Sequence, residues 1–215
     1  MTLRRFLQRA LIGIAAFGLV LTIAYAALFR PWQRRWDGTP AELALPLPGD
    51  SIVTDPVHAT TRAISIGAPP ELVWPWLVQM GNRRGGLYSY DLLDRWFGVL
   101  EGPSADSILP QFQGLRAGDT IPIGSGPGWP VGLLDPPRTL LIHVREGDVQ
   151  VTWLFELLPR GSDSTRLVTR VRASARSTLA RRFQLLVLDP VEFLMVRRML
   201  LNLRTRAEGL AERRR

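Results

Sequence analysis

The chain has no cysteine and no lysine, and only two histidines among its 215 residues. Without cysteine there is no disulfide, no thiolate nucleophile and no cysteine-ligated metal. The compartment stays open, because a cysteine-free domain suits either side of a membrane. His58 and His143 lie far apart in the sequence, so no zinc site is expected, and nothing calls for any other metal or cofactor. With lysine absent, every basic residue is arginine, and the formal net charge is +8. Charge of this sign points to an acidic partner, either anionic lipid or nucleic acid. None of the nucleic-acid recognition motifs is present, so no nucleic-acid partner is expected. A 46% hydrophobic and 21% charged composition excludes disorder.

Residues 10–29 form an uncharged apolar run. At a rise of about 1.5 Å per residue they span about 30 Å, the thickness of the hydrocarbon core. Arg4, Arg5 and Arg9 precede the run; Arg30, Arg34 and Arg35 follow it, with Trp32 and Trp36 at interfacial positions. A single-pass membrane anchor is expected. The alternative is a cleaved signal peptide, with Ala24-Tyr25-Ala26 as a small-x-small site, but the run is longer than a usual signal core. Arginines at both ends weaken the positive-inside signal, and the short basic N-terminus favours a soluble domain on the non-cytoplasmic side. The organisation reads as a basic N-terminus (1–9), an anchor (10–29), a juxtamembrane linker (30–58) and one domain (59–212). Pro40, Pro46, Pro48 and Pro56 make residues 38–58 a linker or an extended arm over the domain surface.

Within the domain, 60–66 reads as a strand. Pro69-Pro70-Glu71 starts a helix that meets Pro75, and a short helix follows at 91–97. From Asp119 the hydrophobic period becomes two, predicting strands at 120–123, 129–134, 139–145, 149–157 and 165–173, joined by short turns as an antiparallel meander. Val151, Trp153, Phe155 and Leu157 share one face; Arg166, Arg170 and Arg172 lie opposite Leu167, Val171 and Ala173. This pattern predicts a sheet covered on a single side. The cover is an apolar segment at 179–188, then a helix capped by Asp189, with Pro190 at its first position and Glu192 at its third. The class is α+β, with a cavity between the sheet and the long C-terminal helix.

Four segments carry a family resemblance: RAISIGAPPELVWPWLVQMG (62–81), GGLYSYDLL (85–93), ADSILPQFQGLRAGDTIPI (105–123) and DPVEFLMVRRMLLNLRTRAE (189–208). The sequence resembles the START-like superfamily, also called the SRPBCC or polyketide cyclase/dehydrase family, and within it a membrane-anchored bacterial branch. The resemblance implies a helix-grip fold, an antiparallel sheet wrapped around a long C-terminal helix with a hydrophobic cavity between them. Members bind lipids, sterols, hormones or polyketides, and some are cyclases, so the fold does not select one activity.

Candidate cavity walls are Trp74, Trp76, Tyr88, Tyr90, Trp96, Trp129, Trp153, Phe155, Met195 and Met199; each has ordinary core packing as its alternative. His143 has the parity of an outward-facing strand residue. The carboxylate pairs Asp91/Asp94 and Asp106/Asp119 suit capping and turns, or acid–base chemistry if a pocket gathers them. Arg166, Arg170 and Arg172 read as a solvated ladder with Glu156 nearby, or as contacts to lipid headgroups. The glycine-rich loop 124–128 precedes a strand rather than a helix, which argues against phosphate binding. The expected function is membrane-anchored binding of a hydrophobic small molecule or lipid between sheet and C-terminal helix. The alternatives are a polyketide cyclase/dehydratase-like enzyme, or a non-catalytic interaction domain without ligand.

Overall fold

The computed structural model describes residues 3–176 and 178–214; Met1, Thr2, Ser177 and Arg215, and the side chains of Leu3, Arg4, Phe6 and residues 179–187, lie outside the described residues. The period-two segments form β1 (His58–Ile66), β2 (Thr120–Ile121), β3 (Trp129–Asp135), β4 (Thr139–Glu146), β5 (Val149–Arg160) and β6 (Ser164–Ser174). They make one six-stranded antiparallel sheet in the order β1-β6-β5-β4-β3-β2. The first strand of the domain therefore pairs with the last, and β1 and β2 are the two edges of the sheet.

The inner face carries Ile64, Ile66, Leu140, Ile142, Phe155, Leu157 and Leu167, all buried. Two helices cover it. One is α4 (Pro70–Val78), which runs through Pro75; the other is α6 (Leu179–Glu212). From α6 come Val196, Met199, Leu200, Leu203 and Ala207, spaced to share one side of a 3.6-residue period. The fold is an α+β helix-grip.

The N-terminal segment is helical throughout: α1 (Leu3–Ala24), a π-helical stretch (Tyr25–Phe29) and α2 (Arg30–Arg34). Among the described residues one helix, Leu7–Arg34, is long and apolar enough to cross a membrane. Residues 7–24 are exposed along their whole length, with Ile12, Ile14 and Phe17 each more than 60% exposed. The far end of this helix is fastened to α6. Phe29 and Trp32 pack edge-on against Phe193, and Arg30 and Arg34 reach the Asp189 carboxylate at 2.6 and 3.0 Å.

The expected start of a new helix at Asp189 does not occur. Helix α6 is continuous through Pro190, and Asp189 serves as the anion of a buried cluster with Arg30, Arg34 and His58. Burial alone would raise its pKa. The close approach of His58, the hydrogen bond from Arg30 and the charge of Arg34 outweigh burial and hold it at about 2. His58 thus opens β1 as a buried residue instead of lying in a linker. One turn further along α6, Glu192 takes a bidentate pair from Arg62 at 2.5 and 2.6 Å.

The outer face is also covered, against the expectation of a sheet buried on one side. Residues 37–57 lie across it as an arm that contains α3 (Pro40–Ala44). Leu47 and Ile52 pack on Ala63, Leu141, Leu154 and Val168 as a second, smaller core. Gly49, at φ +94°, passes so near Leu141 that an added Cβ would stand 2.8 Å from its Cδ1. The three β6 arginines are not a solvated ladder: Arg166 and Arg170 are buried and Arg172 is half-buried. Arg166 pairs with Glu42 at 2.8 Å and Asp37 at 2.9 Å. Arg170 pairs with Asp50 at 2.6 Å and donates to the carbonyls of Glu42, Leu43 and Leu45. Those carbonyls end α3 and have no partner within the helix. Glu156 is buried too, but accepts from Arg138 and Thr139. An arginine stem can lie along apolar surface while its head reaches a carboxylate, so outward parity on a strand does not imply exposure.

Candidate functional site

The sheet's inner face is buried unevenly. At the end formed by Ile66, Leu157 and Leu167 it is closed. At the opposite end Val144, Val151, Trp153, Val171 and Ala173 are only half-buried. The pairing puts these residues level with His58 and Thr60 of β1, and His58 meets Asp189 of α6 at 3.1 Å. The partly open end is therefore the end to which the N-terminal helix is fastened. Three aromatics step inward from it: Trp129 to Trp153 at 5.2 Å, then Trp153 to Phe155 at 4.9 Å. The Trp153 indole donates to Thr169 Oγ1 at 2.9 Å, which fixes its plane.

Deeper in the grip, Trp76, Tyr88, Phe155 and Met199 are core residues, each at most 2% exposed. The Trp76 ring packs edge-on against Tyr88 at 6.0 Å, and its Nε1 has no hydrogen-bond partner. Trp74 and Trp129 pack half-buried against the same core, and Met195 is half-buried on α6. Tyr90 lies at the rim, 40% exposed, and Trp96 stands off the grip at 77% exposure beside Phe97.

Tyr88 links the core to a polar cleft. Burial pushes its phenol pKa up, and its hydroxyl accepts from Gln79 Nε2 at 2.9 Å. Gln79 also holds the loop opposite, donating to the Ser107 carbonyl and accepting from the Leu109 amide. Behind Tyr88, a cleft of about 430 Å³ is lined by Tyr90, Asp91, Ser104, Arg198, Asn202 and Arg206. Asp91 opens α5 (Asp91–Trp96) and accepts from the Ser104 hydroxyl at 2.6 Å and its amide at 3.1 Å. Asn202 donates to the Tyr88 carbonyl at 2.7 Å; Arg206 donates to the Ala105 carbonyl at 2.8 Å and lies over the Tyr88 ring. Two guanidiniums beside one committed carboxylate suit a polar or anionic ligand group.

Asp94 is fully buried with Ser89 donating to it, and burial raises its pKa. It does not line the cleft. Asp106 and Asp119 are exposed, and Asp119 accepts from the Arg116 amide as a turn residue. His143 is half-buried on the outer face, bonded to Gln150 at 2.9 Å. No group of three or more metal-ligating side chains is found among the described residues. Gln79, Arg198, Asn202 and Arg206 escape the sequence reading. Gln79 had no mark in sequence; the other three sit on the polar side of a helix, where solvation is the default.

No family model and no curated protein matches the chain. The solved structures to which it is similar include polyketide-cyclase-like proteins. One of these, from Corynebacterium glutamicum, is 17% identical; the match covers 72% of this chain and 94% of that one, with a TM-score of 0.38. A conserved protein from Geobacillus kaustophilus is 18% identical over 71% of this chain and 96% of that one, at 0.40. A protein from Chromobacterium violaceum is 13% identical over 70% and 96%, at 0.41. Likeness at this level concerns fold alone, and the helix-grip assignment rests on the strand order and on α6.

Proposed function

We propose that the protein is a membrane-anchored carrier that binds a hydrophobic small molecule or lipid between the sheet and α6. The supporting observation is the coincidence of two features at one end of the sheet. The apolar inner face is partly open at Val144, Val151, Trp153 and Val171, and the apolar N-terminal helix is tied to the domain at that same end through Arg30, Asp189 and His58. A ligand leaving a bilayer would meet this mouth first, and burial of its apolar surface is worth about 25 cal/mol per Å².

The test is photolabelling in nanodiscs with a phospholipid whose acyl chain carries a diazirine. Labels on 144–153 and 171–173, lost in Val171→Trp, are the expected result. Labels confined to residues 7–29 would overturn the carrier reading and leave the domain as an interaction module. One observation favours a second reading, a cyclase/dehydratase-like enzyme: Tyr90 and Asp91 share a polar cleft with Arg198 and Arg206. Turnover of a polyketide-like substrate, lost in Asp91→Asn, would establish it.

A further inference from the structure

A second open cleft lies on the other side of the sheet, between α2, the arm and the outer faces of β1 and β6, with a volume of about 640 Å³. Its charge is lopsided: Arg34, Arg35, Arg170 and Arg172 line it against the single carboxylate of Asp50. These cations are not equally engaged. Arg170 is saturated by Asp50, Thr61 and the α3 carbonyls. Arg34 is committed to Asp189 and His58. Arg172 uses Nε and Nη2 on the carbonyls of Val53 and Thr54, while its Nη1 has only a 3.7 Å approach to Asp50. Arg35 is exposed, and no side-chain partner is found for it among the described residues.

Position narrows the ligand. The apolar run ends at Phe29, and Trp32, 48% exposed, follows where interfacial aromatics sit. Arg35 comes six residues after Phe29, about 9 Å further at helical rise. The headgroup layer extends about 5–7 Å beyond the hydrocarbon core, so the Arg35 backbone stands just outside that layer and its long side chain can reach back to the lipid phosphates. The cleft's remaining wall is mostly apolar, with Pro31, Leu43 and Leu45 beside the cations and Thr60 and Thr61 at its floor strand, as suits the glycerol end of an acyl chain.

We infer that this outer cleft is a binding site for the phosphate headgroup of an anionic phospholipid, gripped by Arg35 and the free edge of Arg172. The site is separate from the grip; it rests on the same reading of 7–34 as a membrane span. Occupying it would hold the domain at a set tilt on the bilayer, with the mouth at Val151 and Val171 facing the membrane surface.

The experiment is native mass spectrometry of the full chain released from nanodiscs of mixed phosphatidylcholine and phosphatidylglycerol. Selective retention of phosphatidylglycerol is expected, falling about fivefold in Arg35→Ala, as for loss of one basic contact near a charged surface. Because Arg35 is exposed, this variant keeps the fold; Arg172→Ala is a second variant, checked by circular dichroism. Equal retention in wild type and Arg35→Ala overturns the inference. So does binding of inorganic phosphate in detergent with no lipid selectivity, which would assign the cleft to a soluble anion. Alkaline carbonate extraction separates this from failure of the span: a chain that leaves the membrane on extraction refutes the anchor, whatever Arg35 does.

Discussion

On its inner face the sheet meets α4 and α6 through Trp76, Phe155, Met199, Leu200 and Leu203. On its outer face it meets the arm chiefly through Arg166 and Arg170 and their partners Asp37, Glu42 and Asp50, around a small apolar cluster. Apolar burial is non-directional, and its strength follows area. Guanidinium pairing is directional and gives a strong interaction only when each donor finds its acceptor. The helices can therefore be held by many interchangeable contacts, whereas the arm is held in one register by a few. The same division separates the two surfaces chemically: the grip is lined by apolar side chains, and the outer cleft by arginines.

The largest expected effect tests the inner face. Phe155→Ala removes a fully buried ring and should cost about 3–5 kcal/mol, read as a lowered Tm of the detergent-solubilised chain. Next comes the outer face. Arg166→Met leaves Glu42 and Asp37 without their cation and should cost about 3 kcal/mol, while the double change with Glu42→Leu should recover most of it. Limited proteolysis should find 45–56 newly cleavable in the single variant only. If the double variant is no better than the single, the arm is held by its apolar cluster and the contrast between faces fails.

Acid sharpens the comparison further, because the junction with the N-terminal helix is ionic. The Asp189 pKa is held at about 2, below its ordinary 3.8. Its contribution to stability is therefore complete above about pH 4 and lost as the pH falls through about 2. Roughly 2 kcal/mol should disappear in that window; Asp189→Asn should lower Tm at neutral pH and flatten the acid limb of the Tm profile. The smallest effect belongs to Arg83→Ala. The Arg83–Glu101 pair is exposed on both sides, and Tm should not change, in contrast to Arg166.

Much of this architecture is legible in local sequence. The parity of β5 and β6 was readable because side chains alternate strictly along a strand, and Val151, Trp153, Phe155 and Leu157 do share the inner face. The helical cover of the inner face was legible too, but the charged cover of the outer face was not. By outward parity Arg166, Arg170 and Arg172 read as a solvated ladder beside Glu156, but Glu156 is taken by Arg138 and Thr139, and the carboxylates that neutralise Arg166 and Arg170 lie on a segment that reads equally as a linker or as an arm over the surface. Asp189-Pro190-Val191-Glu192 carries every mark of a helix start, yet tertiary pairing with Arg30 and Arg62 keeps both carboxylates occupied while the helix runs on. In the candidate site, Trp153, Phe155 and Met199 could be read from periodicity. Gln79 and Asn202 could not, since their role depends on where the Tyr88 backbone and hydroxyl arrive.

The sequence by itself determined the strands, their inward and outward sides, and an apolar helix of membrane length, because each depends on spacing within some twenty residues. Only the tertiary structure decided that the arm lies across part of the outer face, that Asp189 ties the N-terminal helix to α6, and that one end of the grip stays partly open. Those outcomes join residues far apart in the chain, Arg166 with Glu42 across 124 positions and Arg30 with Asp189 across 159. Such pairs form only once the sheet and helix have brought them within hydrogen-bonding reach, where burial makes leaving either charge unpaired too costly.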